Sequence, residues 1–224
     1  MKEILFLSGG GSEIDSKQLD DKFVETIKER SGIGIVYIPM AMPSHRFARA
    51  LEWFTPIFQN RVGKIEMWTE LKDKTKDDIS KLGGIYIGGG DTVRLLQALQ
   101  ESGFDDVLTA YIKDGGIVYG GSAGAIILGK DIRTASETEK YHLDNCSGLS
   151  VLGEYSVACH FKREEAPQYQ DLSRQIASPI IALSEQSGIR ISGANLEIVG
   201  NNPVSIISPI SAKIISPNQN IKIK

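Results

Sequence analysis

Short apolar runs alternate with amphipathic stretches through the first half of the chain, the pattern of βαβ units on a parallel sheet. Glu3 to Ser8 predicts a first strand that runs into Gly9, Gly10 and Gly11. Asp15 to Arg30 then places Leu19, Phe23 and Ile27 on one helical face and closes at Gly32. Ile33 to Ile38 predicts the next strand. Beyond Pro39 and Pro43, Ser44 can cap a helix whose Phe47, Leu51, Phe54 and Phe58 recur at helical spacing. Lys64 to Trp68 reads as a third strand, Lys76 to Lys81 as a short charged helix, and Gly84 to Ile87 as a strand that stops at Gly88, Gly89 and Gly90. Asp91 or Thr92 caps a helix carrying Leu95, Leu96 and Leu99, and Phe104, Val107, Leu108, Tyr111 and Ile112 mark another. Gly116 to Tyr119 predicts a further strand that feeds GGSAGAIILG.

From about Tyr155 the character changes to short β-branched runs separated by turn residues: Tyr155 to Phe161, Ile180 to Ser184, Ile189 to Ser192, Glu197 to Val199, Val204 to Ile207 and Lys213 to Ile215. One candidate helix, Tyr169 to Ile176, interrupts them. The predicted fold class is α/β, a doubly wound and mainly parallel sheet with added C-terminal strands. No linker or internal repeat divides the chain, so residues 1–224 are expected to form a single domain.

Composition narrows the function classes. With 41% hydrophobic and 24% charged residues the chain is neither disordered nor fibrous, and it can bury a core. The 25 basic and 28 acidic residues leave a net charge of −3, with no run of one sign to track a phosphate backbone or an anionic lipid surface, so nucleic acid and membrane are not expected partners. The longest apolar stretches are broken by glycine and fall short of the roughly 20 residues that cross a bilayer. The four-residue apolar run near the amino end is too short for a secretory signal, which predicts a cytoplasmic protein. Cys146 and Cys159 stand 13 apart without a CxxC pair, so reduced thiols are expected and no metal site is predicted.

Candidate chemistry centres on Gly120-Gly121-Ser122-Ala123-Gly124, a G-x-S-x-G directly after an apolar strand. A serine on so tight a turn needs small neighbours, and the Ala123 amide would face the same space as an oxyanion donor. The plain alternative is a glycine-rich turn with a merely polar serine. A serine nucleophile needs a base. His45 opens an amphipathic helix and His142 lies in a polar segment, so both read as surface residues. His160 ends the run YSVACH, at a strand terminus where open α/β sheets place reactive groups. The base in turn needs an acid, and Asp131, Glu137, Glu139, Asp144 and Glu154 lie between Ser122 and His160. Glu137 follows a turn-rich stretch and could fold back, Asp144 is its main competitor, and spacing leaves the choice open. The loop Gly88 to Thr92 can offer backbone amides to a phosphate or to a developing oxyanion. Neither glycine cluster completes G-x-G-x-x-G, because Ile14 and Val93 occupy the last position, which weakens nucleotide binding as a rival function. Gly9 to Gly11 reads as a tight turn at a strand end.

Taken together, IYIGGGDT, GGSAGA, IRT at Ile132 to Thr134 and CHF at Cys159 to Phe161 resemble the dipeptidase E and cyanophycinase family of serine peptidases, over roughly Glu3 to Gly200. That resemblance implies a three-layer, class I glutamine amidotransferase-like fold. It places the nucleophile on Ser122, the general base on His160, the oxyanion donors on the Gly90 and Ala123 amides, and the triad acid on Glu137, where dipeptidase E-like members tend to have aspartate. Members closest to dipeptidase E prefer an amino-terminal aspartate and hold its carboxylate with an arginine beyond the histidine. Arg174 falls at that position, with Lys162 and Arg163 as substitutes, a helix-surface cation as the plain alternative, and Asp91 as a second candidate substrate contact. Gly121 replaces a bulkier family residue, which implies a roomier wall beside the serine. The expected protein is a metal-independent serine peptidase acting on small peptides, possessing no cofactor and working as a monomer or homodimer. A phosphate or nucleotide binder and a catalytically silent relative are the competing classes.

Overall fold

The computed structural model describes residues 2–223. The first half is built as β1 (Ile4–Ser8), α1 (Lys17–Glu29), β2 (Gly34–Ile38), α2 (Phe47–Phe58), β3 (Lys64–Met67), α3 (Lys76–Ser80), β4 (Gly83–Ile87), α4 (Thr92–Ser102), α5 (Phe104–Lys113), β5 (Ile117–Gly121) and the short α6 (Ala123–Ile126). The second half adds β6 (Ser156–Ala158), α7 (Ala166–Gln175), β7 (Ile180–Ala182), β8 (Ser187–Ser192), β9 (Asn195–Gly200), β10 (Val204–Ser208), β11 (Ser211–Ile215) and β12 (Asn220–Lys222).

The main sheet has eight strands in the order β12-β9-β8-β1-β5-β4-β2-β3. The five strands from β1 to β3 in that order run parallel, and β8, β9 and β12 extend the β1 edge antiparallel. This is the doubly wound, mainly parallel α/β architecture that the alternation predicts. The C-terminal strands do not all join it: β6, β7, β10 and β11 form a separate four-stranded sheet, in which β6 and β7 pair parallel.

Strand side chains alternate between two cores because the pleat turns successive residues to opposite faces. Phe6, Tyr37, Tyr86 and Tyr119 point to one face and meet Phe23 of α1 and Phe54 and Phe58 of α2. Rings there stack closely, Tyr37 on Phe54 at 4.1 Å and Tyr86 on Tyr119 at 4.3 Å between centroids. Leu5, Leu7, Val36, Ile38, Ile85, Ile87 and Val118 point the other way, into an aliphatic core with Leu95, Leu99 and Leu108 from α4 and α5. Both faces are buried, which is why the strands read as continuous apolar runs rather than alternating ones. The helix pair α4 and α5 joins at Gly103, whose φ of 71° ends one helix and starts the next.

One boundary differs from expectation in a way that matters for the site. The run expected to continue to Phe161 leaves extended geometry after Ala158, and His160 takes a φ of 55°. The parallel β6–β7 ladder is then continued by Phe161 N donating to the Leu183 carbonyl (3.0 Å), which carries the ends of both strands to one edge.

Candidate active site

Ser122 alone makes the reversal between β5 and α6. Its φ of 49° with ψ of −108° lies outside the ordinary regions for an L-residue, a strain of about 1–3 kcal/mol that persists only where the surroundings over-determine it. Three backbone hydrogen bonds do so. Ser122 N donates to the Ser8 carbonyl (3.1 Å), and the Ser122 carbonyl accepts from Ala125 N (2.8 Å) and Ile126 N (3.0 Å). The turn also presses on β4, because a Cβ at Gly124 would lie 2.4 Å from the Ile87 carbonyl oxygen.

The Ser122 hydroxyl lies 2.8 Å from His160 Nε2, and His160 Nδ1 lies 2.9 Å from Glu185 Oε1. The tautomer that serves both contacts carries its proton on Nδ1, so the hydroxyl donates to Nε2 and Nδ1–H donates to the carboxylate. His160 N donates to the Gly9 carbonyl (2.8 Å), and the ring packs on Gly10, where a Cβ would sit 2.2 Å from Cε1. The glycine loop after β1 is therefore a wall for the imidazole rather than only a turn. Side chains of His160 and Glu185 are 51% and 57% exposed, so their hydrogen bond competes with solvent and its direct stabilisation of the fold is small.

Two clefts meet at Ser122 and His160. One, of about 310 Å³, has Gly88, Gly89 and Gly90 on one side, Gly10 and Gly11 on the other, and Tyr37, Tyr86, Trp53 and Met42 as its apolar wall. The other, of about 270 Å³, is bounded by Thr92, Glu137, Glu165 and Tyr169. The Gly90 and Ala123 amides donate to no backbone carbonyl among the described residues. Ala123 opens α6, where first-turn amides are unpaired in any helix, and Gly90 faces the serine cleft.

Residues 4–199 match the family model described as Peptidase family S51. The chain belongs to that family. Among curated relatives of this S51 protein, Peptidase E of Shewanella denitrificans is 26% identical over 136 residues, 56% of this chain and 57% of that relative. Uncharacterized peptidase YgaJ of Bacillus subtilis is 30% identical over 130 residues, 56% of each. The alignments thus span little more than half the length of these curated relatives. A crystal structure of a peptidase from an acI-B1 actinobacterium superposes with a TM-score of 0.77 at 18% identity, covering 100% of this chain and 98% of that one, so the fold is shared and fits the class I glutamine amidotransferase-like arrangement.

Within this S51 site, the structure brings Ser122 and His160 together but puts Glu185, not Glu137, on the imidazole. Glu137 Oε1 instead accepts from Thr92 N (2.9 Å), because the positive end of α4 offers an unpaired first-turn amide within reach. Asp144 is exposed, and His160 Nδ1 pairs with Glu185 rather than with it. Arg174 is not at either cleft: its guanidinium donates to Asp171 Oδ1 (2.7 Å) and to the Pro209 carbonyl (3.0 Å). Asp91 is likewise committed elsewhere, capping α4 through Arg94 N (2.9 Å) and accepting from the Tyr141 hydroxyl (2.7 Å). Thr134 of the IRT stretch anchors its loop by donating to the Val157 carbonyl of β6. Cys159, beside the histidine, is buried and its thiol is pushed well up by burial, so it stays protonated. Cys146 and Cys159 are unpaired. Among the described residues no group of three or more His, Cys, Asp or Glu side chains could hold a metal ion, and no helix is long and apolar enough to cross a membrane.

Proposed function

We propose that this S51 protein is a serine-type peptidase acting on small peptides through Ser122, His160 and Glu185. The observation that carries the reading is the unbroken line from the Ser122 hydroxyl through both ring nitrogens of His160 to Glu185. In this reading Ser122 Oγ attacks the scissile carbonyl while His160 Nε2 takes its proton, and Glu185 stabilises the imidazolium. The Gly90 and Ala123 amides hold the tetrahedral oxyanion. His160 then returns the proton to the departing amine as the C–N bond breaks, leaving an acyl-serine. Water adds to that ester, giving a proton to His160, and its collapse frees the acid and restores the hydroxyl.

The modest size of both clefts suits short peptides. Preference for an amino-terminal aspartate has no counter-charge here, since Arg174 is tied down on α7 and no Lys or Arg among the described residues lines either cleft. The test is covalent labelling of the folded chain by a fluorophosphonate together with hydrolysis of a dipeptide panel. Wild type should be labelled and active, and Ser122→Ala neither, with both proteins equally folded by circular dichroism. Equal labelling of the two would reject the assignment.

A further inference from the structure

The cleft on the Glu137 side of Ser122 contains chemistry that the triad does not use. Glu137 has one carboxylate oxygen on Thr92 N, and Glu165 has one on Lys162 N (2.9 Å). Neither has a Lys or Arg partner among the ion pairs of the described residues. Two carboxylates thus share a cleft with the reacting serine and lack a counter-ion. A second observation is independent of them: Thr92 borders the same cleft, and its hydroxyl is wholly buried and has no hydrogen-bond partner among the described residues. A buried hydroxyl without a partner gives up roughly 1–3 kcal/mol, which a ligand able to bond to it would recover. Tyr169, half-buried and held edge-on against Phe161, adds an aromatic ring to the same wall. Carboxylates, a hydroxyl acceptor and an aromatic ring are the groups that together receive an organic cation.

We propose that Glu137, Glu165, Thr92 and Tyr169 form a substrate subsite for an ammonium or guanidinium group. The inference rests on the peptidase reading above, because the cleft opens on Ser122. The cation has two sources on a small peptide, its free amino terminus or a basic side chain, and they share one chemistry. The subsite replaces an aspartyl preference with its opposite in charge: an acidic side chain placed here would face two like charges.

The experiment compares matched substrates on the full chain. Alanyl p-nitroanilide and its N-acetyl form test the amino terminus, and N-acetyl-lysyl and N-acetyl-norleucyl p-nitroanilides test the side chain. Wild type should lose at least about tenfold in kcat/KM when the cation is removed from one of the two pairs, and that pair identifies the source. Glu137→Gln and Glu165→Gln each keep the oxygen that accepts the backbone amide. Each should raise KM for the cationic substrate about five- to tenfold, with kcat and the neutral substrates changed less than about twofold. Fluorophosphonate labelling of Ser122 runs in parallel. Labelled wild type with no cation dependence in either pair, or variants that leave KM unmoved, overturns the subsite alone. Wild type that is neither labelled nor active overturns the peptidase reading and the subsite with it.

Discussion

Ser122 and Glu185 stand at opposite ends of one hydrogen-bonded line and are held by different means. Ser122 is fixed by its own backbone, through three main-chain hydrogen bonds and neighbours too small to move aside. Glu185 sits on the turn between β7 and β8, 57% exposed, and meets the histidine only through its side chain. A nucleophile needs its attack angle set to within a fraction of an ångström, whereas an acid that stabilises an imidazolium acts through a field that falls off gradually. The rigid end is therefore built from main chain and the tolerant end from a flexible side chain.

The largest expected effect tests the rigid end: Ser122→Ala should lower turnover about 10⁶-fold in steady-state hydrolysis, with His160→Ala close behind. Glu185→Gln should cost less, about 10²- to 10³-fold in kcat, because water reaches the pair and takes over part of its role. Asp144→Asn should leave kcat within about twofold, and a loss matching that of Glu185→Gln would reverse the assignment of the acid. On stability the ends differ again. Gly124→Ala forces a methyl against the Ile87 carbonyl and should destabilise the fold by about 1–3 kcal/mol in urea unfolding, whereas Glu185→Gln should shift it by less than about 0.5 kcal/mol.

A third carboxylate sharpens the contrast. Asp20 of α1 is buried, accepts from Ser16 Oγ (3.0 Å), and leaves its other oxygen unpartnered. Burial pushes its carboxyl up from 3.8 to about 6, against the pull of the hydrogen bond from Ser16. Folded protein then holds this proton to higher pH than unfolded chain does, so stability falls as pH rises from about 4 through about 6 and stays lowered above that. Two pH units correspond to about 3 kcal/mol as an upper figure. Asp20→Asn should raise the melting temperature at pH 7 and change it little at pH 4. An equal shift at both values would exclude titration as the cause.

The parallel sheet was legible because buried strands and amphipathic helices differ in period, and Ser122 was legible because its turn restricts residue types within five positions. His160 could be placed by its strand end. Glu185 could not, since its carboxylate arrives from beyond the histidine, on the turn that follows β7. The available signal was the pair of short apolar runs, Tyr155 to Phe161 and Ile180 to Ser184, on either side of the candidate helix. Their parallel pairing, with Ala158 opposite Ala182, is a long-range contact that no local pattern encodes. Arg174 misled for a related reason: its position along the chain suits the cleft, but α7 turns the guanidinium toward the loop after β10. Gly9 to Gly11 looked like an ordinary turn because nothing nearby in sequence reveals the ring that lies on it.

The β6–β7 ladder is short, yet it acts as a ruler. Each residue of strand advances about 3.3 Å, so a slip of one position would carry the carboxylate out of hydrogen-bonding range of the imidazole while leaving the serine turn untouched. One added residue between Ala182 and Glu185 would carry the carboxylate off the imidazole without unfolding the large sheet. In evolutionary terms, the small sheet is where this scaffold can lose its chemistry while keeping its shape.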